Sequence, residues 1–187
     1  MKTKIFSAAA LFLCVCVLLC SCASALDTAE SFCIAIEKFN LEKAEGYVSD
    51  DAEKYFENVL KYESKLSDEQ KEIAKKLYSY VKFSDISENG DGTFTVAAVK
   101  YIDFAALIAS VDINLATGTE SASDYISDMM KAETFSQNFV RTKNNVKITV
   151  TETDGDYKIV LGYSGDNKEF TALLGLDMFL RWYSTKR

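Results

Sequence analysis

The sequence contains no histidine and no proline, and only one tryptophan among 187 residues. Without histidine there are no Ser-His or Cys-His nucleophile pairs, no imidazole general base and no histidine metal site. Without proline there are no polyproline linkers or proline-rich docking segments. Basic charge is also short, with 21 Lys+Arg against 28 Asp+Glu. The sequence pI is near 4.8. That balance makes the chain a poor candidate for nucleic-acid binding, which needs a basic surface, so nucleic acid is not an expected partner.

What is present begins with hydrophobicity. Two lysines, Lys2 and Lys4, precede the 16-residue run Ile5 to Cys20, in which Ser7 is the only polar interruption. A membrane-spanning helix needs about 20 apolar residues, so the run is short for a permanent span. A charged start, a brief apolar stretch and small residues after it describe a secretory signal peptide; an uncleaved anchor helix is the competing reading. Two cleavage sites compete as well. Leu19-Cys20-Ser21-Cys22 resembles the bacterial lipobox, in which the cysteine is diacylated and becomes the new N-terminus, here Cys22. Ala23-Ser24-Ala25 is an A-x-A site whose use would release a secreted chain. Cys22 falls at the end of the apolar run, as lipidation requires, and this favours the lipobox. Residues 1–21 are then the signal peptide, 22–26 a short tether and 27–187 a single domain. The expected location is the outer face of a cell membrane, through two or three acyl chains. Loss of residues 1–21 removes two lysines and no acid, leaving 19 bases and 28 acids, a net charge of −9. An anionic bilayer repels that charge, so lipid rather than a basic patch would hold the protein.

Of five cysteines, Cys14, Cys16 and Cys20 leave with the signal and Cys22 is acylated. Cys33 remains alone, so no disulfide can form within the mature domain. Ala29, Phe32, Cys33 and Ile36 share one helical stripe, which predicts a buried thiol rather than a reactive one.

The mature chain opens with helices. Asp27-x-x-Glu30 predicts a capping box followed by helix to about Phe39. Asn40 predicts a short second helix with Leu41, Ala44 and Val48 along one side. Asp50-x-x-Glu53 starts a third with Tyr55, Phe56, Val59 and Leu60 inward. Ser67-x-x-Gln70 starts a fourth with Ile73, Ala74, Leu77 and Tyr78 inward. The period then changes. Tyr80–Ser87 and Thr93–Ile102 read as strands around a turn-rich loop, and Asp103–Leu115 as a mixed segment with a short helix. Ala116–Ser123 reads as a loop and Asp124–Phe139 as one helix. Thr142–Thr153 alternates as a half-buried strand should, and Asp154-Gly155 turns it into Tyr157–Gly162. Asp166-x-x-Glu169 predicts a final helix. Helices followed by an antiparallel sheet and a closing helix define an α+β fold.

Two segments carry a resemblance. Ala29-Glu30-Ser31-Phe32-Cys33-Ile34-Ala35-Ile36, with Asn40-Leu41-Glu42-Lys43-Ala44, resembles the opening of NTF2-like (cystatin-like cone) domains. Asp154-Gly155-Asp156-Tyr157-Lys158-Ile159, with Glu169-Phe170-Thr171-Ala172-Leu173-Leu174-Gly175, is similar to small lipoproteins of Gram-positive bacteria within that set, whose function is unknown. Tyr157 stands where tryptophan is usual. The resemblance implies N-terminal helices packed on a curved antiparallel sheet, with a conical pocket that many relatives use for ligands.

Candidate chemistry is sparse. Tyr101 and Asp103 lie two apart and share a face if the strand extends that far, giving an aspartate base beside a tyrosine donor. Asp103 equally suits a helix cap. Asp85, Ser87, Asn89 and Gly90 match positions 1, 3, 5 and 6 of a calcium loop, but Val96 stands where position 12 needs a bidentate acid, so a hairpin turn is expected and no metal. Trp182 is expected to close the core, with a place at a pocket mouth or partner contact as alternatives. Met129-Met130 reads as helix packing or an adaptable binding surface. No cofactor is expected. The primary expectation is a lipid-anchored, non-enzymatic binding protein for a small apolar ligand or an envelope protein. The alternatives are an enzyme using Asp and Tyr groups, and an interaction factor with a filled core. Buried polar groups converging in an open cavity favour the enzyme, an open apolar cavity the ligand carrier, and a filled interior the interaction factor.

Overall fold

The computed structural model describes residues 24–118, 120–163 and 165–186. The expected signal peptide and Cys22 lie outside the described residues. Helix α1 (Ala25–Glu37) starts earlier than predicted, within the 22–26 stretch, because Ser24 rather than Asp27 is its N-cap. The Ser24 hydroxyl accepts from the Asp27 amide and the Asp27 carboxylate accepts from the Ser24 amide, a reciprocal capping box. Asn40 caps α2 (Leu41–Glu45) by accepting from the Lys43 amide at 3.1 Å. Helix α3 (Asp50–Glu63) follows Ser49; the Asp50 and Glu53 side chains of its predicted cap lie outside the described residues. Helix α4 (Asp68–Tyr78) carries the predicted Ser67/Gln70 box.

Among the described residues, four strands form one antiparallel sheet in the order β1-β2-β3-β4. They are β1 (Lys82–Glu88), β2 (Thr93–Ile102), β3 (Val140–Thr153) and β4 (Asp156–Val160). This confirms the α+β class. One row bends the sheet. Asp85 and Asn145 have positive φ, at 43° and 55°. Both are types that tolerate this conformation. They flank Ala97, and pairing is interrupted at this level in both ladders. The side-chain alternation changes phase there. Val96 and Val99, three apart, are both buried, and Phe83 and Ile86 both face inward.

Helix α1 lies across the inner face of this sheet, against β1, β3 and β4. The space between is filled. Phe32 meets Phe56 at 6.2 Å and Phe170 at 6.1 Å, and Phe83 meets Phe170 at 6.0 Å. Ile36, Phe94, Val96, Val146, Ile148 and Ile159 complete the layer, all fully buried.

Between β2 and β3 the chain leaves the sheet. Asp103–Leu115 is not a mixed segment but part of a 14-residue helix, α5 (Phe104–Thr117). Its apolar residues point to several sides, which masks the periodic signal. Helix α6 (Ala122–Lys131) and α7 (Phe135–Phe139) replace the single predicted helix. Ala132 turns extended between them, and Phe135 packs on Tyr80 at 5.0 Å. The predicted final helix is also two: α8 (Lys168–Leu174) and α9 (Leu176–Tyr183). The Asp166 side chain of its predicted cap lies outside the described residues. Gly175 separates them at φ 61°, and a Cβ there would stand 2.4 Å from Phe104 Cδ2. Close by, the buried Tyr78 hydroxyl donates to the Leu174 carbonyl at 3.0 Å.

Gly175→Ala combines a disfavoured backbone with overpacking against Phe104, and should lower stability by about 2–4 kcal/mol in urea denaturation. An unchanged midpoint would show that the α8–α9 break tolerates a side chain. Tyr78→Phe keeps the ring but strands the Leu174 carbonyl, with an expected loss of about 1–3 kcal/mol by the same measurement.

Candidate functional site

The residues singled out in the sequence do not come together. β2 ends at Ile102, and the Asp103 carboxylate accepts from the Ala106 amide at 3.1 Å as the N-cap of α5. Tyr101 is half-buried on the strand beside Arg141. Asp103 is thus engaged in holding the start of a helix. The Asp85–Gly90 segment belongs to β1 and its hairpin turn, where Asn89 bonds the Thr93 and Thr95 hydroxyls and the Asp91 carboxylate accepts from the Thr93 amide. Among the described residues no group of three or more Cys, Asp or Glu is placed to hold a metal ion.

Cys33 is buried at 2% exposure, and burial pushes its thiol up, with Glu37 and Glu30 adding to the effect. Trp182 is half-buried and works as a clamp. Its indole N–H donates to Asp112 Oδ1 at 3.2 Å and Oδ2 at 3.3 Å, joining α9 to α5. The Lys186 ammonium bonds Asp112 at 2.8 Å and sits 5.2 Å from the Trp182 ring centroid. Lys186, then Trp182, holds the Asp112 carboxyl below its ordinary value. Met129 and Met130 are half-buried packing residues; Met129 Sδ accepts weakly from the Ser110 hydroxyl.

Buried polar residues among those described are Thr28, Ser49, Gln70, Ser123 and Thr171. Gln70 bonds the Tyr183 and Lys186 carbonyls, Thr171 accepts from the Gly162 amide, and Ser123 meets the Tyr183 hydroxyl. These are ties between elements, spread across the molecule.

Four concave features among the described residues are open grooves on the outside. One, of about 390 Å³, lies between α3, the residues after β4 and α9. Tyr55, Tyr62 and Tyr163 line it together with Asn58, Asp177 and Arg181. Tyr163 is 61% exposed, and its hydroxyl donates to Asp177 Oδ2 at 3.0 Å. Tyr55 stands edge-on to it at 5.6 Å. Partial burial and the Asp177 carboxylate push the Tyr163 hydroxyl up to about 12, so it stays a protonated donor at neutral pH. Sequence reasoning did not find this groove. Tyr55, Asn58 and Tyr62 share one helical stripe, as do Asp177 and Arg181, but their meeting spans more than a hundred residues.

No protein-family model matches the chain, and neither a curated protein nor a solved structure matches it significantly. No helix among the described residues is long and apolar enough to cross a membrane.

Two outcomes follow from this geometry. Cys33 should resist iodoacetamide in the native protein and react fully in urea; rapid native labelling would contradict its burial. Because the Asp112 pKa is lowered in the fold, its contribution is present above the unfolded value and is lost as pH falls through the folded one. Emission from Trp182, the only tryptophan, should therefore stay constant from neutral pH down to the ordinary aspartate value of 3.8 and change below it. Asp112→Asn should bring that change to neutral pH.

Proposed function

We propose that this chain is a lipid-anchored extracytoplasmic binding module that meets its partner with its outer surface. The single observation carrying this reading is the filled interior. A carrier of a small apolar molecule needs an enclosed apolar cavity of some hundreds of Å³. Here Phe32, Phe56, Phe94 and Phe170 are each at most 1% exposed in the space between α1 and the sheet. The Tyr101/Asp103 pair expected for acid–base catalysis has little to offer, since the Asp103 carboxylate caps α5 by accepting from the Ala106 amide. The NTF2-like resemblance supports the reading as a scaffold; phenylalanine side chains fill the space where that resemblance implies a conical pocket. Anchoring rests on the apolar run and Cys22. Helix α1 begins at Ala25, so an acylated Cys22 would hold the domain against the bilayer with two residues between. Extended, such a link reaches only about 10 Å.

Mass spectrometry of the mature chain should find Cys22 at the N-terminus bearing a diacylglyceryl group. A chain starting at Leu26 would overturn the anchoring. A fluorescent fatty acid should show no stoichiometric binding to the native protein; one-to-one binding would overturn the surface reading in favour of an inner pocket.

A further inference from the structure

We infer that the groove between α3 and α9 binds an acidic oligosaccharide, with Tyr163 as its platform and Arg181 as the contact for the acidic group. This goes beyond the anchoring and the filled interior, and it stands or falls without them. Size narrows the occupant first. A stable protein partner covers about 800 Å² on each side. A groove of about 390 Å³ is instead within the range of small-molecule sites. Its chemistry narrows the occupant further. Tyr163 presents an exposed ring in an open trough, steadied from behind by Tyr55 at 5.6 Å and by its own bond to Asp177. An exposed aromatic face fits the apolar face of a sugar ring, while polar groups at its rim fit the ring's hydroxyls. Asp177 accepts, Asn58 has one amide hydrogen left beside the one it gives the Lys54 carbonyl, the Tyr163 hydroxyl accepts while donating to Asp177, and the Tyr62 hydroxyl can do both.

Charge decides between a neutral and an acidic sugar. Arg181 is exposed on the groove wall and, among the described residues, is in none of the ion pairs: Lys71–Glu63, Lys82–Glu37, Lys131–Asp128, Lys143–Glu169 and Lys186–Asp112. Lys54 lines the same wall. Lys54 and Arg181 outnumber Asp177, the one carboxylate of the lining, so the groove is net positive in a chain that is acidic on average. Arginine's planar fork matches a carboxylate or phosphate group in two parallel bonds.

Titration calorimetry and saturation-transfer NMR on the full chain in detergent test the assignment. The probes are trigalacturonate, its neutral trimethyl ester and glucose 6-phosphate. Trigalacturonate should bind about tenfold or more tighter than the ester, and glucose 6-phosphate beside it tells carboxylate from phosphate preference. Arg181→Gln should shrink that gap to about threefold or less while leaving ester binding unchanged. Tyr163→Ala should weaken every probe about tenfold or more, whereas Tyr163→Phe, which keeps the ring and loses only the hydroxyl bond to Asp177, should weaken them about threefold or less. Absence of binding by all three probes at about 10 mM overturns the proposal. So does equal affinity for acid and ester, or full binding by Tyr163→Ala. Unchanged far-ultraviolet circular dichroism for these exposed-site variants separates lost binding from lost fold.

Discussion

The architecture depends on one close approach, that of the Phe104 ring to the backbone of Gly175. A Cβ at that glycine would overlap the ring, so nothing but hydrogen fits between them. From Phe104 the contacts spread outward. It stacks on Phe179 at 4.7 Å and leans on Tyr78 at 5.5 Å, and Tyr78 reaches Phe39 at 5.0 Å. Phe179 continues the series to Tyr183 at 5.1 Å. One ring cluster thus binds the turn after α1, the end of α4, the start of α5 and, through Phe179 and Tyr183, α9. These segments are up to about 140 residues apart, and burying rings of this size is the largest single gain open to a domain with no disulfide.

The second organising feature is the bend through Asp85, Ala97 and Asn145. It lets the sheet follow the helices, and the phase change lets both halves present apolar side chains to them. A flat sheet with unbroken alternation would turn one half's apolar residues toward water. With the sheet curved around Phe32, Phe56 and Phe170, the interior is spent on stability. What distinguishes one region from another is then on the outside, in the arrangement of aromatic, acidic and basic side chains along the grooves.

Much of the fold is legible in the sequence where order is local. The Ser67-x-x-Gln70 box, the Asn40 cap, the Asp154-Gly155 turn and the alternation of Val146, Ile148 and Val150 each depend on neighbours a few residues away. Errors arise where distant contacts override local pattern. The stripe from Phe170 to Leu180 reads as one helix, yet Phe104 forces a left-handed residue at Gly175. Ala132 interrupts a helix that local signals continue, as Phe135 enters the core. Phe83-x-x-Ile86 and Val96-x-x-Val99 have a spacing that suits helices, and only the bend explains it on strands. The candidate site was the least legible part. Tyr101 and Asp103 are close in sequence but separated in role, whereas Tyr55, Tyr163 and Arg181 are remote in sequence and meet on one wall.

The sheet's two borders carry a consequence of their own. Beyond β4, the segment Tyr47–Ser49 runs alongside and exchanges backbone bonds with Ile159, so that margin is already occupied. The opposite margin, β1, is broken at Asp85 and bears Lys82, Asp85 and Glu88. A strand from another molecule would meet a kinked, charged rim on one side and no vacancy on the other. The domain is thereby protected from growing by strand addition.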